Sequence, residues 1–184
     1  MLKHTIKSVA LLLMSASTTA AYPEFMIHKA DIRNNEPIAK RHLSGEIACG
    51  GQNVSPLLRW TSGPEGTKGY AVTAVDRDSE VHTRYHWIVL NIPRQWSGIP
   101  RGLATTSTEQ GILQIRTDWG YPGWYGPSAA SGQMPRRYVF TVYALNVSKL
   151  HVPSDAEPSI AGEAIARHVI AASSVTAIHP SWRR

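Results

Sequence analysis

Cysteine is almost missing from this 184-residue chain, where Cys49 stands alone. That excludes an intramolecular disulfide and leaves stability to core packing. A lone thiol in an exported protein is either buried or paired between chains, and burial is the commoner state for free cysteine. Acidic residues are outnumbered, with 13 Asp+Glu against 19 Lys+Arg and a net charge of +6. The basic excess is scattered apart from Arg136-Arg137 and the terminal Arg183-Arg184. No basic stripe with interleaved aromatics is present, so nucleic acid is not an expected partner. Beyond the N-terminus no apolar run approaches the roughly 20 residues a membrane helix needs. There is no Gly-x-Ser-x-Gly elbow and no His-Glu-x-x-His metal motif. No metal or cofactor is expected.

The N-terminus has the three parts of a cleaved secretory leader. Lys3 and Lys7 give a positive start, Val9 to Met14 an apolar core, and small residues lead to Ala20 and Ala21. A leader over 1–21 leaves one domain over 22–184. That length, about 163 residues, allows burial of about 70% of the unfolded surface. Removing Lys3 and Lys7 lowers the net charge from +6 to +4, which supports no more than a mild attraction for anions. The mature chain is expected to be periplasmic or secreted.

Strand signals recur along the mature chain. Residues 70–75, 87–92 and 138–145 are apolar on both parities, as suits central strands covered on both faces. Pro93 closes the second, since proline donates nothing to a ladder. Residues 94–135 break the pattern with seven glycines and four prolines. That stretch includes Asp118-Trp119-Gly120-Tyr121-Pro122-Gly123-Trp124-Tyr125-Gly126-Pro127, whose rings can bury enough area to order a long loop. Pro158 to Ala172 reads as a helix with Ile160, Ala164, Ile165, His168, Val169 and Ala172 on its apolar stripe. A short final strand is expected over 174–178. Many strands and one late helix predict a mostly β, antiparallel sandwich with a helix appended.

Three polar clusters lie at the ends of these strands: Asp76-Arg77-Asp78, His86-Trp87 and Arg136-Arg137-Tyr138. Residues two apart on a strand share a face, so Arg136 and Tyr138 point together and Arg137 points away. Arg136 offers a fork of donors suited to phosphate or carboxylate. Tyr138 adds a hydroxyl, and His86 is donor, acceptor or cation according to its surroundings. Asp76 orients His86 or accepts from a ligand. Gly126-Pro127 lets backbone N–H groups approach an anion. Each residue also has a plain structural reading: Asp76 and Asp78 as turn caps, His86 as a satisfied core histidine, Arg137 as an ion-pair partner.

Order and context add to this. Gly50-Gly51-Gln52-Asn53-Val54-Ser55-Pro56, Leu58-Arg59-Trp60, Pro64-Glu65-Gly66-Thr67-Lys68, the strand ending Asp76-Arg77-Asp78, the strand opening His86-Trp87, Gly120-Tyr121-Pro122-Gly123, Gly126-Pro127 and Arg137-Tyr138 follow one another. This series closely resembles the phosphatidylethanolamine-binding protein family, and most of all its bacterial branch of Raf kinase inhibitor-like proteins. The resemblance runs from about residue 45 to 178. It implies a single β-sandwich domain with peripheral helices and a small pocket for phosphate, phosphoryl headgroups or similar anions. On matching positions that pocket uses Asp76, His86, Gly126 and Tyr138. The chain departs from the family pattern in three places. Asp76-Arg77-Asp78-Ser79-Glu80 lacks the two prolines of Asp-Pro-Asp-Ala-Pro, Ser128-Ala129-Ala130 replaces Cys-Pro-Pro, and Arg136 replaces a histidine. Arg136 either strengthens anion binding or fills the pocket by pairing with Asp76.

The leading expectation is therefore a non-catalytic, exported binder of a small anion. The alternative is an interaction module or inhibitor of a kinase- or protease-type partner. Its anchors are Trp119, Tyr121, Trp124 and Tyr125, the residue types that dominate interfaces. A hydrolase using Asp76 and His86 is the least favoured reading, and membrane contact is at most peripheral, since no basic amphipathic helix is evident.

Overall fold

A computed structural model of the chain describes residues 24–46, 49–80, 82–105, 111–128 and 134–179. The leader read over 1–21 lies outside them. The described residues form nine strands and one α-helix: β1 (Ile27–Ala30), β2 (Glu36–Pro37), β3 (Leu58–Trp60), β4 (Gly69–Asp76), β5 (Arg84–Pro93), β6 (Gly98–Ile99), β7 (Leu113–Gln114), β8 (Arg136–Leu145), α1 (Pro158–His168) and β9 (Val169–His179). A single 3-10 turn spans Lys40–His42.

Two sheets result: a three-stranded one in the order β1-β3-β6 and a six-stranded one in the order β2-β9-β8-β4-β5-β7. Every pairing is antiparallel except the short parallel contact of β2 with β9. The three strands expected from their apolar runs are β4, β5 and β8, and they lie side by side in the larger sheet. Their two parities feed two cores. Tyr70, Val72, Ala74, Trp87, Val89, Phe140 and Val142 meet Leu58, Trp60 and Ile99 of the smaller sheet. Ala71, Ile88, Leu90 and Leu145 face the other way, under Ile115, Leu150, Ala161 and Ile165. The protein is thus one mostly β domain of two sheets with a helix outside the larger one. Cys49 is buried at 6% exposure. No described helix is long and apolar enough to cross a membrane.

Several expectations change. The helix stops at His168 rather than Ala172, and an eleven-residue β9 starts at once instead of a short strand at 174. Residues 169–172 suit either period, but the β8 edge decides. It pairs with β9 from Leu145↔Val169 to Arg136↔His179, with one register shift between Ala144 and Leu145, so extending the helix would forfeit ladder bonds. The apolar stripe is also rotated. Pro158, Ala161 and Ile165 are buried, while Ile160 is half exposed. Gly162 explains the rotation, because a Cβ there would sit 2.2 Å from the Tyr85 hydroxyl. The helix presents its smallest face so that Tyr85 can approach. Finally, the loop read over 94–135 holds the two short strands β6 and β7.

Candidate binding site

The site is built at the end of the larger sheet. Asp76, the last residue of β4, lies directly across from Tyr138 of β8. Arg136, two residues before Tyr138, shares its face. Strict alternation would send His86 to the opposite side, with Ile88. It does not go there, because β5 carries an extra residue. The register moves from Ala74↔Trp87 to Val75↔Tyr85, which leaves His86 as the bulged residue. A bulge bends the strand and re-aims its side chain. Tyr85 accordingly packs with Ile88 in the outer core, while His86 turns inward beside Trp87. Its ring meets the Tyr138 ring edge-on, with centroids 4.9 Å apart.

Asp76 is buried, with a side chain 3% exposed. Its Oδ1 accepts the Asp78 N–H at 2.9 Å, the turn cap anticipated from sequence. Its Oδ2 accepts Arg136 Nη1–H at 2.6 Å. The open question about Arg136 thus has a geometric answer: it pairs with Asp76, yet its side chain stays 28% exposed. Arg137 points away and forks onto Asp78, with its Nε–H 3.1 Å from both carboxylate oxygens.

His86 is 2% exposed. Its Nδ1 lies 2.7 Å from the Tyr125 carbonyl. A carbonyl only accepts, so Nδ1 carries the proton and Nε2 holds a lone pair in the neutral ring. Burial pushes the pKa down to about 4, against the favourable pull of the Tyr125 carbonyl and Asp76. The imidazole is therefore uncharged at neutral pH. Burial likewise pushes the Tyr138 phenol well above its ordinary value, so its hydroxyl stays protonated. The site offers one shared ion pair and two neutral polar groups among rings.

Those rings come from the aromatic loop. The Tyr125 N–H donates to the His86 carbonyl at 2.9 Å, so one loop residue clamps His86 by both backbone groups. Trp119 covers the imidazole at 4.3 Å. Trp119 and Tyr121 each stack with Tyr125, with ring centroids 4.7 and 6.5 Å away and nearly parallel planes. Tyr121 ends the stack 66% exposed. Asp118 anchors the loop by accepting the Tyr85 N–H at 2.6 Å and pairing with His82 at 3.0 Å.

Three residues sit differently from expectation. Trp124, read as an interface anchor, is only 7% exposed. It packs edge-on against Trp87 at 5.9 Å and donates its indole N–H to the His42 carbonyl at 3.0 Å. It is a core residue. Gly126-Pro127 does not offer free N–H groups. The Gly126 N–H is given to Asn53 Oδ1 at 2.7 Å, and proline has none. Gly126 is needed because a Cβ there would lie 2.5 Å from the His42 carbonyl oxygen. The Pro127 carbonyl accepts the Ser44 N–H. This dipeptide joins the loop to the segment around His42. Among the described residues no group of three His, Cys, Asp or Glu could hold a metal ion.

The strands, the rim cluster and the loop clamp span the same stretch that a family model for phosphatidylethanolamine-binding proteins matches, residues 28–179. The chain belongs to the phosphatidylethanolamine-binding protein family. Among its relatives, YbcL of Escherichia coli is 32% identical over 182 residues, covering 97% of this chain and 98% of YbcL. YbhB of the same organism is 33% identical over 151 residues, 80% of this chain and 95% of YbhB. The crystal structure of YbcL, described as a member of the mammalian PEBP family, superposes with a TM-score of 0.81. It covers 87% of this chain and 100% of that one. A homologue from Chlamydia trachomatis at 23% identity shares the fold, with a TM-score of 0.71. Family membership bears out the resemblance read from the sequence.

Proposed function

We propose that the protein is an exported, non-catalytic binder of a small phosphoryl or carboxylate anion, received at the Arg136 end of the site. The observation that carries this reading is the Arg136 guanidinium, fixed by a buried carboxylate and still 28% exposed. Asp76 takes one of its five N–H donors, which leaves others for oxyanion oxygens. Tyr138 and His86 supply neutral polar groups behind it. Asp76 already balances the Arg136 charge, so affinity is expected to be modest. Isothermal calorimetry with inorganic phosphate, phosphoethanolamine and acetate tests the reading. Arg136→Ala is expected to weaken binding at least about tenfold, and Tyr138→Phe less. Equal heats from wild type and both variants would sink it. The leader calls for a secreted or periplasmic product whose mass begins after Ala20 or Ala21.

Catalysis is disfavoured on physical grounds. A general base works best with a pKa near the operating pH, and His86 is held near 4. Its Nδ1 is tethered by a carbonyl rather than by Asp76. A protein partner is the second reading, favoured by the exposed end of the Trp119–Tyr125–Tyr121 stack. Crosslinking in the exported fraction, compared between wild type and Tyr121→Ala, separates it from the first.

A further inference from the structure

A polar cavity lies near the start of the fold, apart from the Arg136 site. It has a volume of about 370 Å³ and is lined by Asp31, Arg33, Glu36, Arg41, His42 and Arg101, among others. Water occupies about 30 Å³ per molecule, so this is more than a hydration niche. It falls within the range of small-molecule pockets, about 300–1,000 Å³.

His42 forms its floor and is fully buried at 0% exposure. Its Nδ1 lies 2.7 Å from the Val54 carbonyl, so the ring's proton sits there and Nε2 is a lone pair. Nε2 has no hydrogen-bond partner. The nearest charged atom is Asp31 Oδ2 at 3.8 Å. Burial lowers the His42 pKa, so the ring is neutral and the contact is not an ion pair. Asp31 is ionised, its pKa lowered to about 2 chiefly by hydrogen bonds from Arg101. Asp31 Oδ2 already accepts the Leu57 N–H at 3.0 Å and the Arg101 Nε–H at 2.7 Å, so His42 Nε2 alone is left without a donor. A buried acceptor left unsatisfied is costly, and the arrangement is complete only when a donor enters.

Charge defines the rest of the ligand. Arg101 forks onto both Asp31 oxygens, at 2.6 and 2.7 Å, and neutralises that carboxylate. Glu36 pairs with Arg33 at 3.5 Å. Arg41 is exposed, and its side chain has no hydrogen bond or ion pair among the described residues. The cavity therefore combines one unpartnered acceptor, His42 Nε2, with one uncommitted guanidinium on its wall. An ammonium donor would meet Arg101, which already occupies both Asp31 oxygens. Hydroxyl donors meet no such repulsion.

We propose that this cavity is a second binding site, for a small polyhydroxy carboxylate of the sugar-acid type. One of its hydroxyls donates to His42 Nε2, and its carboxylate meets Arg41. The test is ¹⁵N NMR of the histidine side chains in the full mature protein, titrated with glycerate and gluconate. Propionate, which lacks hydroxyls, and glycerol, which lacks charge, are the controls. The His42 Nε2 resonance is expected to move toward a hydrogen-bonded position with the two hydroxy acids and far less with either control. Arg41→Gln, an exposed change that leaves the fold intact, is expected to weaken glycerate binding about tenfold. Arg136→Ala is expected to leave the His42 response to glycerate unchanged. An unmoved His42 signal overturns the proposal. So does propionate matching glycerate, an Arg41→Gln variant binding as well as wild type, or a gluconate-soaked crystal holding only a bridging water between His42 and Asp31.

Discussion

The fold uses one set of parts twice. At the sheet end, Asp76 holds Arg136 beside His86. Near the start of the chain, Asp31 holds Arg101 beside His42. Both histidines are buried, both give Nδ1–H to a backbone carbonyl, and burial pushes both pKa values down. The difference lies in what surrounds them. His86 is enclosed by Trp119, Trp124 and Tyr138, whereas the His42 Nε2 faces a carboxylate in a polar cavity. The Asp76 side chain is 3% exposed and that of Asp31 16%. The same ion pair is thus dry in one place and wet in the other, and its energetic weight should differ accordingly.

The largest effect is expected from Trp124→Ala, which touches both regions. Trp124 rests near the His86 ring at 6.4 Å and bonds the His42 carbonyl. A buried Trp replaced by Ala costs about 3–5 kcal/mol, read as a lower urea midpoint. Both sites should loosen together; loss confined to one of them would break the parallel.

Acid comes next. Between pH 6.5 and about 4 the unfolded chain takes up a proton that buried His86 refuses. Stability therefore falls as pH drops through that window, by on the order of 3 kcal/mol. His42 adds a contribution of the same sign. Asp31 acts lower: its contribution is complete above 3.8 and is lost as pH falls toward 2. Urea unfolding from pH 7 to 4 should lose most of its slope in His86→Gln and less in His42→Gln. An unchanged slope in His86→Gln would mean that the imidazole is not held neutral.

Removing the cation sharpens the dry-against-wet contrast. Arg136→Ala strands a buried carboxylate and should cost about 2–3 kcal/mol, toward the low end for buried pairs because Arg136 is itself partly exposed. Arg101→Ala should cost less, since Asp31 keeps the Leu57 N–H and reaches water. Equal losses would erase the distinction. The smallest effect belongs to Tyr121→Ala, which should leave stability within about 0.5 kcal/mol while removing the exposed end of the ring stack.

The central strands were legible because they are apolar on both parities, a pattern few alternatives satisfy. The outward face of Arg137 followed from strand periodicity, and the burial of Cys49 from the usual state of a lone thiol. The helix end was not legible. Val169 to Ala172 fit two periods, and only the distant edge of β8 chooses between them. Trp124 was misread because an aromatic in a Gly- and Pro-rich loop gives no local sign of which way it turns. The His42 cavity left no signal, as its members come from residues 31 to 101 and converge only in three dimensions. The inward turn of His86 depends on a register shift against β4, which no single strand reveals. The leader expected over 1–21 lies outside the described residues.

The bulge at His86 behaves like a dislocation in a crystal row. The phase slips by one unit at that point, and every residue from Trp87 to Leu90 keeps its layer. A single inserted or deleted codon there would swing the imidazole in or out while the sandwich behind it stayed intact. Ligand preference in such a scaffold is free to drift faster than the scaffold itself.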